Sequence, residues 1–498
     1  MAKDERTPLL RTRKEKIRNS RLLLAVFSAV LGNFSFGYSL VYPSPVLPEL
    51  QGSDSDPRLR MNTTQAALFG SIYTLGAAAG GLGSMLLNDM LGRKMSIIIS
   101  AVPSSIGYML MGGAFNLRML YVGRFLTGLA GGMTASSIPV YISEISHKAV
   151  RGALGSCPQI TAVFGSLTLY ILGLWVPWRW LAIAGAVPAV IMVVLLSFMP
   201  SSPRRLLCIG REEKAEQALR WLRGPDYDPN PELSGIQHSI RMQKKVSWSE
   251  LGTPEYYKPI LISVGMRFLQ QMTGITPILI YLQTIFTKSK VSLPPQYDAA
   301  LVGVIRLLSV LLAASLMDKA GRKALLYTSS MLMFLSSLTL TITSHSTPCP
   351  GSQNRTALNS HYALGNGTTA LAQTDTTLIP VISTMVFIFG YAMGWGPITW
   401  LLMSEVLPLV TRGVASGLCV MVSWLTAFAL TYAFSHMLDY GLYVPYLLFT
   451  VVCVLGLLFT AVCIPETRGR SLEEIENYFR TGRSFTITSR SPSLLNST

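Results

Sequence analysis

The sequence predicts an all-α membrane protein: twelve transmembrane helices in two pseudo-symmetric six-helix halves, joined by a small helical connection. Three observations predict it. Half of the 498 residues are hydrophobic and only 13% are charged, where a soluble domain carries about 25%. The charged residues sit mostly in short blocks between apolar runs, and a lipid-spanning helix takes about 20 residues. One pattern also occurs twice: Asp89-Met-Leu-Gly92-Arg93-Lys94 returns as Asp318-Lys-Ala-Gly321-Arg322-Lys323, 229 residues later (318 − 89). Each copy is followed by a Glu seven residues before an Arg-Gly pair, Glu144 before Arg151-Gly152 and Glu405 before Arg412-Gly413. Pro200-Ser-Ser-Pro203-Arg204 and Pro465-Glu-Thr-Arg468-Gly469 close the halves. A duplicated membrane domain places a substrate site between its copies.

The spans centre near Val30, Ala77, Gly107, Leu129, Val163 and Val190, then Gly274, Val310, Met333, Phe389, Leu425 and Leu455. The layout is a cytosolic tail (1–21), a first half (22–200), a cytosolic helical connection (201–257), a second half (258–464) and a final cytosolic tail (465–498). Basic residues crowd the amino terminus, both Gly-Arg-Lys turns and the connection. The positive-inside rule puts these in the cytosol, with both termini. The net charge of +16 is therefore a topology signal. Nucleic-acid binding is disfavoured, because the basic residues flank spans instead of forming one folded face. The first apolar run is too long for a cleavable signal peptide.

In the connection, Arg211-Glu-Glu-Lys-Ala-Glu-Gln-Ala-Leu-Arg-Trp-Leu-Arg reads as an amphipathic helix. The second half is longer between its repeated Asp and Glu, which places an outer loop at 344–377. That loop holds sequons at Asn354 and Asn366, and the first outer loop holds one at Asn62. The six cysteines have no metal spacing, imply no disulfide framework, and mostly serve as small apolar residues. Gly76-Ala-Ala-Ala-Gly80 and Gly128-Leu-Ala-Gly-Gly132 lie inside spans, where glycine lets helices pack closely. No metal ligand set, cofactor motif or nucleophile–base pair is seen, so no cofactor and no enzyme activity are expected. Glu5-Arg-Thr-Pro-Leu9-Leu10 fits an acidic dileucine sorting motif on the cytosolic tail. Its leucines would enter an apolar pocket of a clathrin adaptor, implying an endosomal or lysosomal pool with cycling to the cell surface.

Neutral sugars both donate and accept hydrogen bonds, as amides do, and aromatic faces cover their C–H side. Gln159, Gln270 and Gln271 are amides on predicted spans; helix-to-helix bonding is the other reading of each.

Gly92-Arg93-Lys94, Pro139-Val-Tyr141-Ile-Ser-Glu144, Trp178-Arg179-Trp180, Pro203-Arg204, Gln270-Gln271-Met-Thr-Gly274, Gly396-Pro397-Ile-Thr-Trp400 and Pro465-Glu466-Thr467 run through nearly the whole chain. With them it resembles the sugar porters of the major facilitator superfamily, and within them the class III facilitative glucose transporters. The resemblance implies uniport of a hexose by alternating access. It implies a sugar site lined by Gln159, Gln270, Gln271 and Trp400, with Tyr281 and Trp424 as the next candidates and Trp424 set behind the others. Three positions depart from the family's amides: Thr276, Arg306 and Ser423. A cation within a span is a functional signal, so Arg306, with Arg267 beside it, suggests a second reading, a carrier of a sugar acid or organic anion. An arginine that merely snorkels or binds carbonyls is the third. A non-transporting sugar sensor is disfavoured for want of a long added tail. Asp89, Arg93, Glu144, Arg151, Asp318, Arg322, Glu405 and Arg412 are read as gate charges able to pair across the inner face. Ser39 stands where the family's symporters carry Asp, and no span shows a mid-membrane acid or histidine, which favours passive transport.

Overall fold

The computed structural model describes residues 19–53, 55–147, 150–241, 253–289, 294–346, 368–408 and 412–467, together with Ile475, Tyr478 and Phe479. Its first half holds α1 (Ser20–Val41) continued by α2 (Pro43–Gln51), then α3 (Thr63–Met90), α4 (Arg93–Gly112), α5 (Leu117–Ile145), α6 (Arg151–Leu172) and α7 (Trp178–Ser197). Three short helices follow: α8 (Pro203–Cys208), α9 (Glu212–Arg223) and α10 (Asn230–Arg241). The second half holds α11 (Pro254–Met272), α12 (Ile275–Ile280), α13 (Leu282–Lys288), α14 (Pro295–Ala320), α15 (Arg322–Ser346), α16 (Thr368–Met393), α17 (Pro397–Val406), α18 (Arg412–Tyr440) and α19 (Tyr443–Val462). Among the described residues, ten helical stretches are long and apolar enough to cross a membrane. The spans expected near Val163 and Gly274 fall outside those ten. The first is α6, 22 residues long but rich in Gly, Ser and Thr. The second is broken into α11, α12 and α13.

Close helix contact comes from small residues. A side chain at Gly76 or Gly80 of α3 would strike the carbonyls of Phe125 and Leu129 on α5. One at Gly128 or Gly132 of α5 would strike those of Tyr73 and Ala77. Both glycine patterns therefore let two backbones meet. The repeated Gly-Arg-Lys makes the same turn twice, with Gly92 at φ +92° and Gly321 at φ +89°, where L side chains are strained. The halves meet where α3 packs on α18 and α6 on α14.

The connection is a layer of three short helices. Arg223, fully buried, ties it together. Its Nε and Nη2 donate to Glu232 at 3.2 and 2.7 Å, and its Nη1 donates to the Ile145 carbonyl at 2.8 Å. The Tyr227 hydroxyl donates to the same carboxylate at 2.9 Å. Burial raises the Glu232 pKa, but the hydrogen bonds and charge of Arg223 outweigh it and hold the carboxyl below its ordinary 4.5. His147, in the turn between α5 and α6, is lowered by burial and then by Arg223.

The five described cysteines are free, and Cys349 lies outside the described residues. So do the motif Glu5, Leu9 and Leu10 and the sequons at Asn354 and Asn366.

Candidate functional site

Two spans of the second half are discontinuous, as in transporters that bind substrate at unwound backbone. Gly274 breaks the seventh span at φ +87°, between α11 and α12. Gly394, Trp395 and Gly396 separate α16 from α17. The second break frees backbone carbonyls within the membrane, where unpaired polar groups are costly. Gln270 satisfies them: its Nε2 donates to the Trp395 carbonyl at 2.7 Å and the Gly396 carbonyl at 3.4 Å. The same nitrogen lies 3.0 Å from the Tyr391 hydroxyl, and its Oε1 accepts from Arg267 Nη1. Gln270 is 1% exposed, so both ends of its amide are engaged by the protein.

Gln271 is arranged differently. Its Nε2 donates to Ser423 Oγ at 3.1 Å and its Oε1 accepts from Thr276 Oγ1 at 2.7 Å. Two of the three departures from the family's amides are thus direct partners of Gln271. Hydroxyls leave room where longer amides would reach in. Trp400 is partly exposed, and the Arg267 guanidinium lies 3.9 Å from its ring centroid. One face of the indole therefore carries a cation, leaving the other for a ligand. Trp424 is buried against Phe36 at 5.8 Å, edge on, with its Nε1 unpartnered. Gln159 on α6 is partly exposed and stands next to the small apolar cluster where α6, α14 and α16 meet. Arg306 donates across the halves to Ser166 Oγ at 3.4 Å.

The outer side is closed. Tyr170 donates to the Leu279 carbonyl at 3.0 Å, Tyr281 to the Ala66 carbonyl at 3.4 Å, and the Gln283 amide to Ser44 Oγ at 3.3 Å. All three bonds join the halves. Tyr281, expected to line the sugar site, is buried in this seam and stacked on Phe434 at 5.6 Å. At the cytosolic end of α6, Arg151 and Gly152 are exposed, and a side chain at Gly152 or Gly155 would meet open space. The end of α6 away from that seam is therefore open.

In this state the gate charges pair within their own halves, not across them. Arg93 Nε lies 3.1 Å from Glu144 and Arg322 Nη2 lies 3.1 Å from Glu405. The expected pairing across the inner face belongs to the outward-open state; in this outer-closed state each of the two carboxylates is held in its own half. Ser202 donates to Glu144 and Thr467 to Glu405, so the closing motifs are partners of the Glu residues. Glu466 also accepts the backbone amides of Arg322 and Lys323 at 3.1 and 3.0 Å, favourable at a helix start. The matching residue of the first half is Ser201, and there Arg205 reaches the Met90 carbonyl at 2.9 Å instead. Arg151 bonds the Ser146 carbonyl at 3.1 Å, and Asp89 is exposed. The side chains of Asp318 and Arg412 lie outside the described residues.

Sequence reasoning missed Tyr391, Ser202 and Thr467. The repeat of Pro-Ser-Ser and Pro-Glu-Thr carried the signal for the last two. Nothing local marks Tyr391, whose partner Gln270 lies 121 positions away.

A two-halved bundle with discontinuous spans and an amide-and-aromatic cleft at its centre defines a multi-pass membrane carrier of a polar solute. The sequence matches the family described as "Sugar (and other) transporter" over residues 25–479, and the chain belongs to that family. It is 60% identical over 479 residues to the mouse solute carrier family 2, facilitated glucose transporter member 6, covering 96% of this chain and 95% of that protein. It is 58% identical to the human member 6, covering 95% and 94%, and 39% identical to the bovine member 8, covering 96% and 98%. The inward-open xylose transporter XylE from E. coli shares the fold with a TM-score of 0.73 at 23% identity, covering 92% of this chain and 99% of that one.

Proposed function

We infer that the chain carries a hexose such as glucose across a membrane by uniport, alternating access to a cleft between its halves. The observation that carries this is the Gln271–Thr276–Ser423 hub at the break in the seventh span, in a chain alike over nearly its whole length to facilitated glucose transporters. The amide donates at one end and accepts at the other, which suits a sugar hydroxyl. Gln159 and Trp400 would supply the remaining contacts. Gln270 shapes the site by holding the α16–α17 break. Arg93, Glu144, Arg322 and Glu405 fasten helices at the cytosolic face, and their release accompanies the change of state.

Transport is passive in this reading. Asp298 is the fully buried acid among the described residues, and it lies in the first turn of α14 at the outer end. An arginine stays protonated and serves poorly as a proton carrier. The dileucine Glu5, Leu9 and Leu10 would engage a clathrin adaptor and set an endosomal or lysosomal pool. Asn62 is the favoured glycosylation position: it is exposed at the start of α3, where its side chain caps the Gln65 amide at 2.8 Å. The division into 1–21, 22–200, 201–257, 258–464 and 465–498 stands as the working domain layout.

The test is uptake by purified protein in liposomes. Glucose flux should follow the glucose gradient alone. An imposed pH gradient should produce no accumulation above the outside concentration, and a protonophore should change nothing. Accumulation that a protonophore abolishes would overturn uniport.

A further inference from the structure

Four arginines are buried among the described residues: Arg124, Arg223, Arg267 and Arg306. Two are answered by a carboxylate or by backbone carbonyls, though Arg124 Nη2 has no partner. Arg223 has the Glu232 carboxylate and a carbonyl. Arg124 donates to the carbonyls of Ser39 and Phe69 and lies over the rings of Tyr73 at 4.7 Å and Phe69 at 5.5 Å. The other two are not. Arg267, 1% exposed, has the Gln270 amide oxygen and the Trp400 face, and its Nε has no partner. Arg306, 9% exposed, has a single long bond to the Ser166 hydroxyl. Among the described residues neither forms an ion pair.

Both belong to the same wall. Tyr391 accepts from Gln270, the residue that Arg267 holds, and Ala392 and Leu307, the chain neighbours of Tyr391 and Arg306, pack in one cluster. The wall therefore carries two formal positive charges and no described negative one. A buried cation without a counter-ion is costly, and a planar guanidinium fits a carboxylate or phosphate in two-point fashion.

We propose that this site prefers a hexose bearing an anionic group, a hexuronate-type sugar acid, with the carboxylate between Arg267 and Arg306 and the hydroxyls on Gln271. The proposal rests on the hexose reading and narrows its substrate class. Binding at Arg306 would draw it from Ser166, so the ligand would also loosen a bond between the halves. A monoanion carried by uniport moves one negative charge, which makes its flux sensitive to membrane potential.

The experiment uses the full chain in liposomes, with labelled D-glucose uptake competed by D-glucuronate, unlabelled D-glucose and D-glucose 6-phosphate. D-glucuronate should half-inhibit at a concentration about tenfold or more below that of glucose, roughly the worth of one charge-assisted pair. Labelled glucuronate uptake should quicken under an inside-positive potassium diffusion potential, while glucose uptake should not. Arg306→Gln should reduce the glucuronate-to-glucose preference by about tenfold and Arg306→Lys, which keeps the charge but not the two-point fork, should reduce it less, both proteins being checked for folding by Tm. Arg267→Gln serves if Arg306→Gln does not fold. Stronger competition by the 6-phosphate than by glucuronate supports the anionic class, with phosphate as the group. Glucose uptake that glucuronate competes no better than glucose itself overturns the proposal and leaves the hexose reading standing. Folded protein that takes up neither overturns both.

Discussion

Replacing Gln271 by Ala removes one donor and one acceptor at the centre of the cleft. The amide is 6% exposed and holds two hydroxyls, Ser423 at 3.1 Å and Thr276 at 2.7 Å. Each internal bond is worth about 1 kcal/mol net. Both hydroxyls sit on helices, where a free Ser or Thr can turn to a carbonyl one turn back, so much of that internal loss is recoverable. The sugar has no such substitute. Losing the amide as its donor and acceptor should cost about 1–3 kcal/mol of binding, or roughly 5- to 150-fold in affinity. Equilibrium exchange of labelled hexose in liposomes measures it. Ser423→Ala is the control: it breaks the internal bond but leaves the amide, so it should cost far less than Gln271→Ala. An exchange affinity for Gln271→Ala within about twofold of the parent at equal protein density would refute the assignment, as would equal losses in the two variants.

Arg322→Ala leaves the Glu405 carboxylate with Thr467 alone and should loosen α17 from α15, raising inward exposure; a cysteine introduced in the outer cleft should then label more slowly, and unchanged labelling would contradict the role. Because the folded pKa of Glu232 lies below its ordinary 4.5, the Arg223 pair contributes stability fully above 4.5 and loses it as pH falls through the lower folded value. The parent's Tm should therefore fall more steeply than that of Glu232→Gln as pH drops below about 4.5, and parallel curves would rule the pair out as the cause. Changing Leu9 and Leu10 together to Ala should move the protein to the cell surface; surface biotinylation at the parent's level would dismiss the sorting signal.

The duplicated motifs and the apolar runs made the two-halved bundle legible, because a helix that crosses lipid must satisfy its backbone within a continuous segment. Interruptions within spans were harder to read. Gly274 looks like any span glycine until its φ of +87° is seen, and α6 is too rich in small polar residues to stand out as a membrane helix. The amides of the site were visible as residue types. Their division of labour was not, since Gln270 and Gln271 are neighbours whose partners lie 125 and 152 positions away. Charge pairing was legible only in part for a related reason: repetition shows that Arg93 and Arg322 are equivalent, and packing adds that Glu144 and Glu405 answer them within the same half. The stack of Arg267 on Trp400 joins residues of different spans, which hydrophobic periodicity never reports.

The break at Gly274 changes how the carrier has to move. Leu279, Tyr281 and Gln283, which seal the outer seam, all lie in the short stretch Ile275–Lys288 just beyond it. Behind the glycine stands Phe449, whose ring occupies the space a side chain there would need. The stretch can thus pivot as a flap on a hinge while α11, with Gln271, stays put, and the bond from Thr276 to Gln271 ties the flap to the site. Such a hinge divides the transport cycle into two smaller events: sealing the substrate in from outside is a local movement of a few turns, and the rocking of the six-helix halves comes as a separate step. Between the two lies a compartment shut on both sides, in which the solute is committed but not yet delivered.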